Sequence, residues 1–288
     1  MTARPAPRIA LATCIDLPEP DPDEDVMLQA ARDAGLDVAL AAWDDPTIDW
    51  TGFDACVVRS TWNYYDDPEA FADWLNLVSD ATLLANPAGI VRWNLHKRYL
   101  RELEQQGLPI VPTAFVDAGA DADLSEIIGN RAWPDDVVIK PCVSAGSSRT
   151  RRFRDGCGDE ARAFLRSITT ADDAMIQPYV PSVEHGGERS AVWIGGEATH
   201  AVVKQPRFDA DDESVSEAQP VTDAERAMLE RCVEIAGDGL LYARLDTMRG
   251  PDGSLLISEL ELIEPSLFLL QSEAATARFV HALRSLAG

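Results

Sequence analysis

Residues 240–263 read LLYARLDTMRGPDGSLLISELELI, two strand-like runs joined by Gly-Pro-Asp-Gly. Apolar residues dominate both runs and the linker is turn chemistry, so the stretch reads as an antiparallel hairpin. If Gly250 pairs with Gly253 across the turn, Asp246 faces Ile257 and Arg244 faces Glu259. Side chains alternate along a strand, so Arg244, Asp246, Glu259 and Glu261 then share one face of the sheet. Three carboxylates and a guanidinium make a poor apolar core and a good seat for a hard cation. Mg²⁺ takes one or two carboxylates and completes its octahedron with water and substrate phosphates. The alternative, a sheet face that carries charges into solvent, fits less well because the intervening residues are apolar too.

A cation bridged to phosphate needs further positive charge, and VVIKPCVSAGSSRTRRF at 137–153 is the place to look. An apolar strand ends on Lys140, turns through a small-residue loop and emerges into arginines. Backbone N–H groups of such a loop can cradle phosphate oxygens beside a lysine point charge. The stretch is neither GxxxxGK[ST] nor GxGxxG. Taken alone, a surface hairpin with a basic return strand reads the same way. The lysine count adds weight: of 25 basic residues only Lys97, Lys140 and Lys204 are lysines. Where arginine serves as the generic cation, a lysine marks a place that needs a compact ammonium, unless coding bias alone left three.

Outward from these stretches, the first third alternates RIALAT, a helix over DEDVMLQAARDAG, DVALAAW, DACVVRS and a helix begun by Pro68, the pattern of a parallel sheet with crossover helices. Ligands of such sheets bind beyond the strand carboxyl ends, which puts Arg59–Tyr65 (RSTWNYY) at a pocket rim, or else packs its aromatics as a loop. The spacing of NLHKRYLRELEQQG predicts one helix, carrying Lys97 and ended by Gly107. The middle is α+β with an antiparallel sheet, residues 208–220 form a candidate mobile loop, and Thr222 with Glu225 makes a capping box.

The order of these features resembles the ATP-grasp family over nearly the whole chain: VVIKP with its loop, a QPYV hinge, then YARLD and SELELIEP. The resemblance implies an N-terminal parallel α/β domain (1–92) followed by an ATP-grasp fold of two α+β subdomains, a lid (93–178) and a metal-binding part (179–288). It implies ATP and Mg²⁺ as cofactors, and a carboxylate phosphorylated and then attacked by an amine. Residue by residue, Lys97 and Lys140 match the nucleotide-phosphate lysines, and Ser144, Ala145, Gly146, Ser147 and Ser148 match the phosphate loop, which runs on to Arg149. Gln177, Tyr179 and Val180 match the adenine hinge, and Glu188 matches the ribose acid, with Glu184 as second candidate. Asp246, Glu259 and Glu261 match the metal ligands, although many members carry asparagine where Glu261 stands. Lys204 and Arg189 fall where phosphate- or substrate-facing cations lie, and Arg244 matches an arginine that steadies the acyl phosphate. RSTWNYY, NLHKRYL, HAVVKQP and SELELIEPSLFL look like the D-cycloserine synthetase type, an O-ureido-D-serine cyclo-ligase.

Composition bounds the rest. With 46% hydrophobic residues over 288, the chain can bury a large core, and no apolar run is long enough to span a bilayer. A net charge of -24 repels nucleic acid and anionic membrane, so neither is an expected partner. Five dispersed cysteines form no CxxC and read as reduced thiols of a cytoplasmic protein. The expected partner is a small amino-acid-like substrate, and the prior for a soluble enzyme is a homodimer. A kinase on the same nucleotide site, and a nucleotide-binding regulatory module, are the competing functional classes. Loss of the metal face would favour the module, and the three acids are all present.

Overall fold

The computed structural model describes residues 7–146, 148–205 and 214–286. In its N-terminal part, β1 (Arg8–Thr13), α1 (Glu24–Asp33), β2 (Asp37–Ala42), β3 (Ala55–Ser60), α2 (Pro68–Ala81) and β4 (Leu83–Ala85) build a parallel sheet in the order β2-β1-β3-β4. β3 is buried along its whole length, as a strand covered on both faces must be. α2 starts where expected: Pro68 occupies the first turn and the Asp67 side chain accepts the Ala70 N–H.

The predicted helix over NLHKRYLRELEQQG is two helices, α3 (Ala88–Leu95) and α4 (Tyr99–Gln105), and Lys97 lies in the break between them. His96 is extended (φ -109°, ψ 118°), and the Lys97 N–H leaves the helical ladder to donate to Cys142 O at 2.8 Å. A tertiary anchor overrides a sound local helix pattern here.

Next come β5 (Ala114–Val116), α5 (Leu124–Asn130), β6 (Val137–Pro141), β7 (Arg151–Phe153), α6 (Asp159–Thr169) and β8 (Ala174–Pro178), whose strands pair antiparallel in the order β5-β8-β6-β7. The Ala161, Leu165 and Ile168 stripe of α6 packs on this sheet through Val137, Ile139 and Ile176.

The chain closes with α7 (Val183–Gly186), β9 (Glu188–Ile194), β10 (Glu197–Lys204), α8 (Asp223–Ala236), β11 (Tyr242–Arg249), β12 (Leu255–Glu261) and α9 (Glu273–Leu286), with an antiparallel sheet in the order β10-β9-β11-β12. The capping box predicted at Thr222 and Glu225 starts α8. Phe279 and Leu283 of α9 fill the core between this sheet and the N-terminal one, beside Ile9, Leu11, Ile194 and Val202. Of the loop expected to be mobile, residues 208–213 lie outside the described residues. Residues 214–220 are held along the edge of β10, where Ser216 N donates to Val203 O at 3.0 Å and Gln219 N to Ala201 O at 2.8 Å.

Candidate active site

The hairpin that opened the sequence reading lies at the floor of a cleft, and its register differs from the expected one. Its turn closes between Gly250 and Ser254 (N to O, 2.8 Å), with Gly253 N donating to Gly250 O at 2.9 Å and Gly253 at φ +82°. This is a three-residue loop with a left-handed glycine, which displaces the pairing by one residue. A bulge where β12 passes Ser258 displaces it by one more, so Arg244 faces Glu261 and Asp246 faces Glu259. Two single-residue slips restore the original parity. Arg244, Asp246, Glu259 and Glu261 therefore do share the cleft face, with different partners from those expected.

The cleft has a volume of about 860 Å³ and draws on both antiparallel sheets and on the segments that follow β1 and β3. β6 and its following loop bring Lys140, Ser144, Ala145 and Gly146; the segment after β8 brings Tyr179 and Val180; β9 and β10 bring Glu188 and Lys204. Lys97 reaches in from the α3–α4 break.

The three lysines meet the acids of the floor. Lys97 Nζ lies 2.8 Å from Glu259 Oε1 and donates to Ser144 O at 2.7 Å. Lys140 Nζ lies 3.7 Å from Glu259 Oε2. Lys204 Nζ lies 2.8 Å from Asp246 Oδ2 and 3.1 Å from Glu188 Oε2, the residue directly across β9. Arg244 grips Asp246 bidentately, Nε to Oδ1 and Nη2 to Oδ2 both at 2.9 Å, and also bonds Glu261.

Burial alone would drive these groups toward neutrality, and the opposing charges decide which stay ionised. For Asp246, burial is outweighed by Arg244 and Lys204, and its carboxyl sits well below the usual range. Glu259 is held low against burial by Lys97 and Lys140, and Lys97 is raised against burial by Glu259. Glu261 goes the other way: burial, aided by the like charges of Asp246 and Glu259, outweighs Arg244 and pushes it up to about 7.

The remaining predicted residues divide. Gln177 lines the cleft and donates to Thr113 Oγ1 at 3.0 Å. The Tyr179 ring lies under the Arg152 guanidinium, 3.3 Å from its centroid, and its hydroxyl donates to Glu184 at 3.1 Å. Glu188 lines the cleft, whereas Glu184 does not and pairs at 2.8 Å with Arg152, which does. Ser148 lies in a turn after the cleft residues, its N–H on Ala145 O at 2.9 Å, and Ser147 lies outside the described residues. Arg189 is not brought to the cleft. It follows Glu188 on β9, so it points to the opposite face, where it binds the buried Glu225 of α8 and Gln219.

Sequence reasoning missed Arg152, which holds Asp136 at 2.7 Å and covers the hinge tyrosine, and Glu264, which lines the cleft beyond β12. The signal for Glu264 was present as one more acid in ELELIEP, but the end of the strand could not be read from alternation. The rim expected at RSTWNYY is correct: Trp62, Tyr64 and Tyr65 line the cleft, while Arg59 is buried behind it.

The donors offered to a metal are carboxylate oxygens only, the chemistry of a hard cation. Asp246 and Glu259 stand directly opposite on one sheet face, which fits an ion that takes its other ligands from phosphate. Among the described residues no three His, Cys, Asp or Glu groups converge closely enough to hold an ion by themselves.

A parallel sheet followed by two antiparallel sheets that close on a cleft of lysines and acids defines an ATP-grasp ligase, and comparison agrees. The structure of a D-alanine–D-alanine ligase from Bacillus anthracis complexed with ATP has this fold, with TM-score 0.70 at 13% identity over 98% of this chain and 97% of that one. The chain belongs to the D-cycloserine synthetase DcsG family. It is 32% identical to the cycloserine biosynthesis protein DcsG of Streptomyces lavendulae over 96% of this chain and 97% of that protein. The crystal structure of D-cycloserine synthetase DcsG superposes with TM-score 0.89 at 31% identity, covering 98% of this chain and 100% of that one. The family model of the D-cycloserine synthetase DcsG N-terminal domain matches residues 9–86. No helix among the described residues is long and apolar enough to cross a membrane.

Proposed function

We propose that the chain is an ATP- and Mg²⁺-dependent cyclo-ligase that activates the carboxylate of a small amino-acid-like substrate, O-ureido-D-serine in the leading case, and closes it onto a nitrogen of the same molecule. The observation that carries this reading is the convergence of the chain's three lysines on Asp246, Glu259 and Glu188 in one cleft. Lysines spread by coding bias have no reason to meet.

Lys97 and Lys140 would exchange their hold on Glu259 for the triphosphate, and Lys97 would keep the 144–146 loop over it through Ser144. Tyr179 and Val180 receive the base, and Glu188 the ribose hydroxyls. Asp246 and Glu259, with Glu261 beside them, would hold Mg²⁺, which supplies charge neutralisation at the phosphates. A substrate carboxylate oxygen attacks the γ-phosphorus and ADP departs, leaving an acyl phosphate. The substrate nitrogen then attacks the carbonyl carbon, phosphate leaves with the C–O bond electrons, and the nitrogen loses its proton. Arg244 and Lys204 steady the charge that develops on oxygen, so positioning and preorganised charge provide most of the acceleration.

The test is ADP and phosphate release with Mg-ATP across amino acids, dipeptides and O-ureido-D-serine, with mass analysis of the product. A product that retains phosphate identifies a kinase and overturns the ligase reading.

A further inference from the structure

Asp246, Glu259, Glu261 and Glu188 each make a direct ion pair with a cation of the cleft, whereas Glu264 feels Lys97 and Arg244 without pairing with either. Glu264 is 8% exposed and lines the cleft where the N-terminal domain contributes Trp62, Tyr64 and Tyr65. Among the described residues its carboxylate has neither an ion-pair nor a hydrogen-bond partner; the bond from Trp62 Nε1, 3.0 Å, goes to its backbone carbonyl.

The loop that carries Glu264 is fixed at successive residues. Arg59 Nη1 donates to Pro265 O at 3.1 Å, Arg244 Nη1 donates to Ser266 O at 3.3 Å, and the Asp23 carboxylate takes the N–H groups of Leu267 and Leu269 at 2.9 and 2.7 Å. Side chains from three separate elements thus hold one acid at the cleft wall. Burying a carboxylate without a partner is unfavourable, and burial together with the charge of Glu261 pushes this one up to about 8. Within the fold, the charges of Lys97 and Arg244 offset this only in part. A ligand with a compact positive charge offsets the rest, and the aromatic rings beside Glu264 suit an ammonium group.

The geometry points to Glu264 as the positioning residue that receives the substrate's ammonium group. This rests on the proposed reading of an amino-acid-like substrate and deepens it. Arg244 and Lys204 draw the reacting carboxylate, Glu264 draws the amine, and the two contacts together orient the molecule. An analogue whose amine is acetylated leaves the acid buried and uncompensated, so the site selects a free amine.

The experiment compares wild type with Glu264→Gln and Glu264→Asp on O-ureido-D-serine and its N-acetyl derivative, with ATP affinity measured in parallel. The expected result for Glu264→Gln is a KM for the free-amine substrate raised about tenfold or more, in line with loss of a charge-assisted contact. Its KM for ATP should stay within about twofold, and its preference for free over acetylated amine should collapse. Glu264→Asp, which keeps the charge, restores part of the preference. Wild-type KM and wild-type preference in a folded Glu264→Gln overturn the assignment while leaving the ligase reading intact. So does weakened Mg-ATP affinity with an unchanged amino-substrate KM, which places Glu264 with the metal. If wild type binds ATP but turns over no amine-bearing carboxylate, the proposed function fails, and the Glu264 assignment with it.

Discussion

Lys97 Nζ lies 2.8 Å from Glu259 Oε1 and donates at 2.7 Å to Ser144 O, so one buried ammonium joins the floor of the cleft to its covering loop. If Lys97 takes the triphosphate as proposed, phosphate binding and the position of that loop are linked through a single residue.

Glu259→Gln is expected to lower ATP turnover by about 10²-fold or more, because the proposed metal seat loses one of its carboxylates. The fold should survive, but Lys97 is left buried without its partner, at a cost of about 2–4 kcal/mol. Urea unfolding and ADP release on the same preparation check both halves.

Lys140→Ala should weaken ATP binding roughly tenfold and leave stability nearly unchanged, because its 3.7 Å contact with Glu259 is longer than that of Lys97. Calorimetric titration with ATP reads the first part and thermal melting the second. Unchanged ATP affinity would count against the phosphate role.

Arg189→Ala and Lys204→Ala should separate cleanly. Arg189 pairs with the buried Glu225 behind the sheet, so its loss should lower stability by about 2–4 kcal/mol with kcat/KM per folded molecule retained. Loss of Lys204 from the cleft should lower kcat/KM by about 10²-fold. Kinetics at a temperature well below both melting points distinguish them.

Glu264 sets a pH signature of the ligand-free protein. Its folded pKa of about 8 stands above its ordinary 4.5, so below pH 4.5 the acid is neutral in both states and contributes nothing. As pH rises from 4.5 toward 8, the unfolded chain loses this proton first and the fold is progressively destabilised. Glu264→Gln removes that penalty. It should be more stable than wild type by on the order of 2 kcal/mol at pH 8, with the gap closing toward pH 5. Paired urea titrations at the two pH values measure it. A residue kept at the expense of stability is what ligand recognition leads one to expect.

Much of this molecule was legible in its sequence, because the informative signals were periodic or local. Short apolar runs such as RIALAT and ACVVRS, separated by helical segments, placed the parallel sheet, and Thr222 with Glu225 placed a helix start. The face shared by Arg244, Asp246, Glu259 and Glu261 survived a wrong register because parity is unchanged by two single slips. What remained hidden depends on contacts between segments distant in sequence. The break at Lys97 is made by Cys142 O and Glu259, neither visible from NLHKRYL. Arg189 was expected in the cleft from the family resemblance, although it neighbours Glu188 on β9 and adjacent strand residues point apart. Glu264 lies beyond the last paired residue of β12, where alternation no longer says which way a side chain points.

The most direct test of the account is to incubate the purified protein with Mg-ATP and O-ureido-D-serine, then measure ADP, phosphate and product mass. The account predicts ADP and inorganic phosphate in equal amounts and a cyclised product free of phosphorus. ADP formation without phosphate release, with the phosphoryl group retained on the organic product, would contradict it.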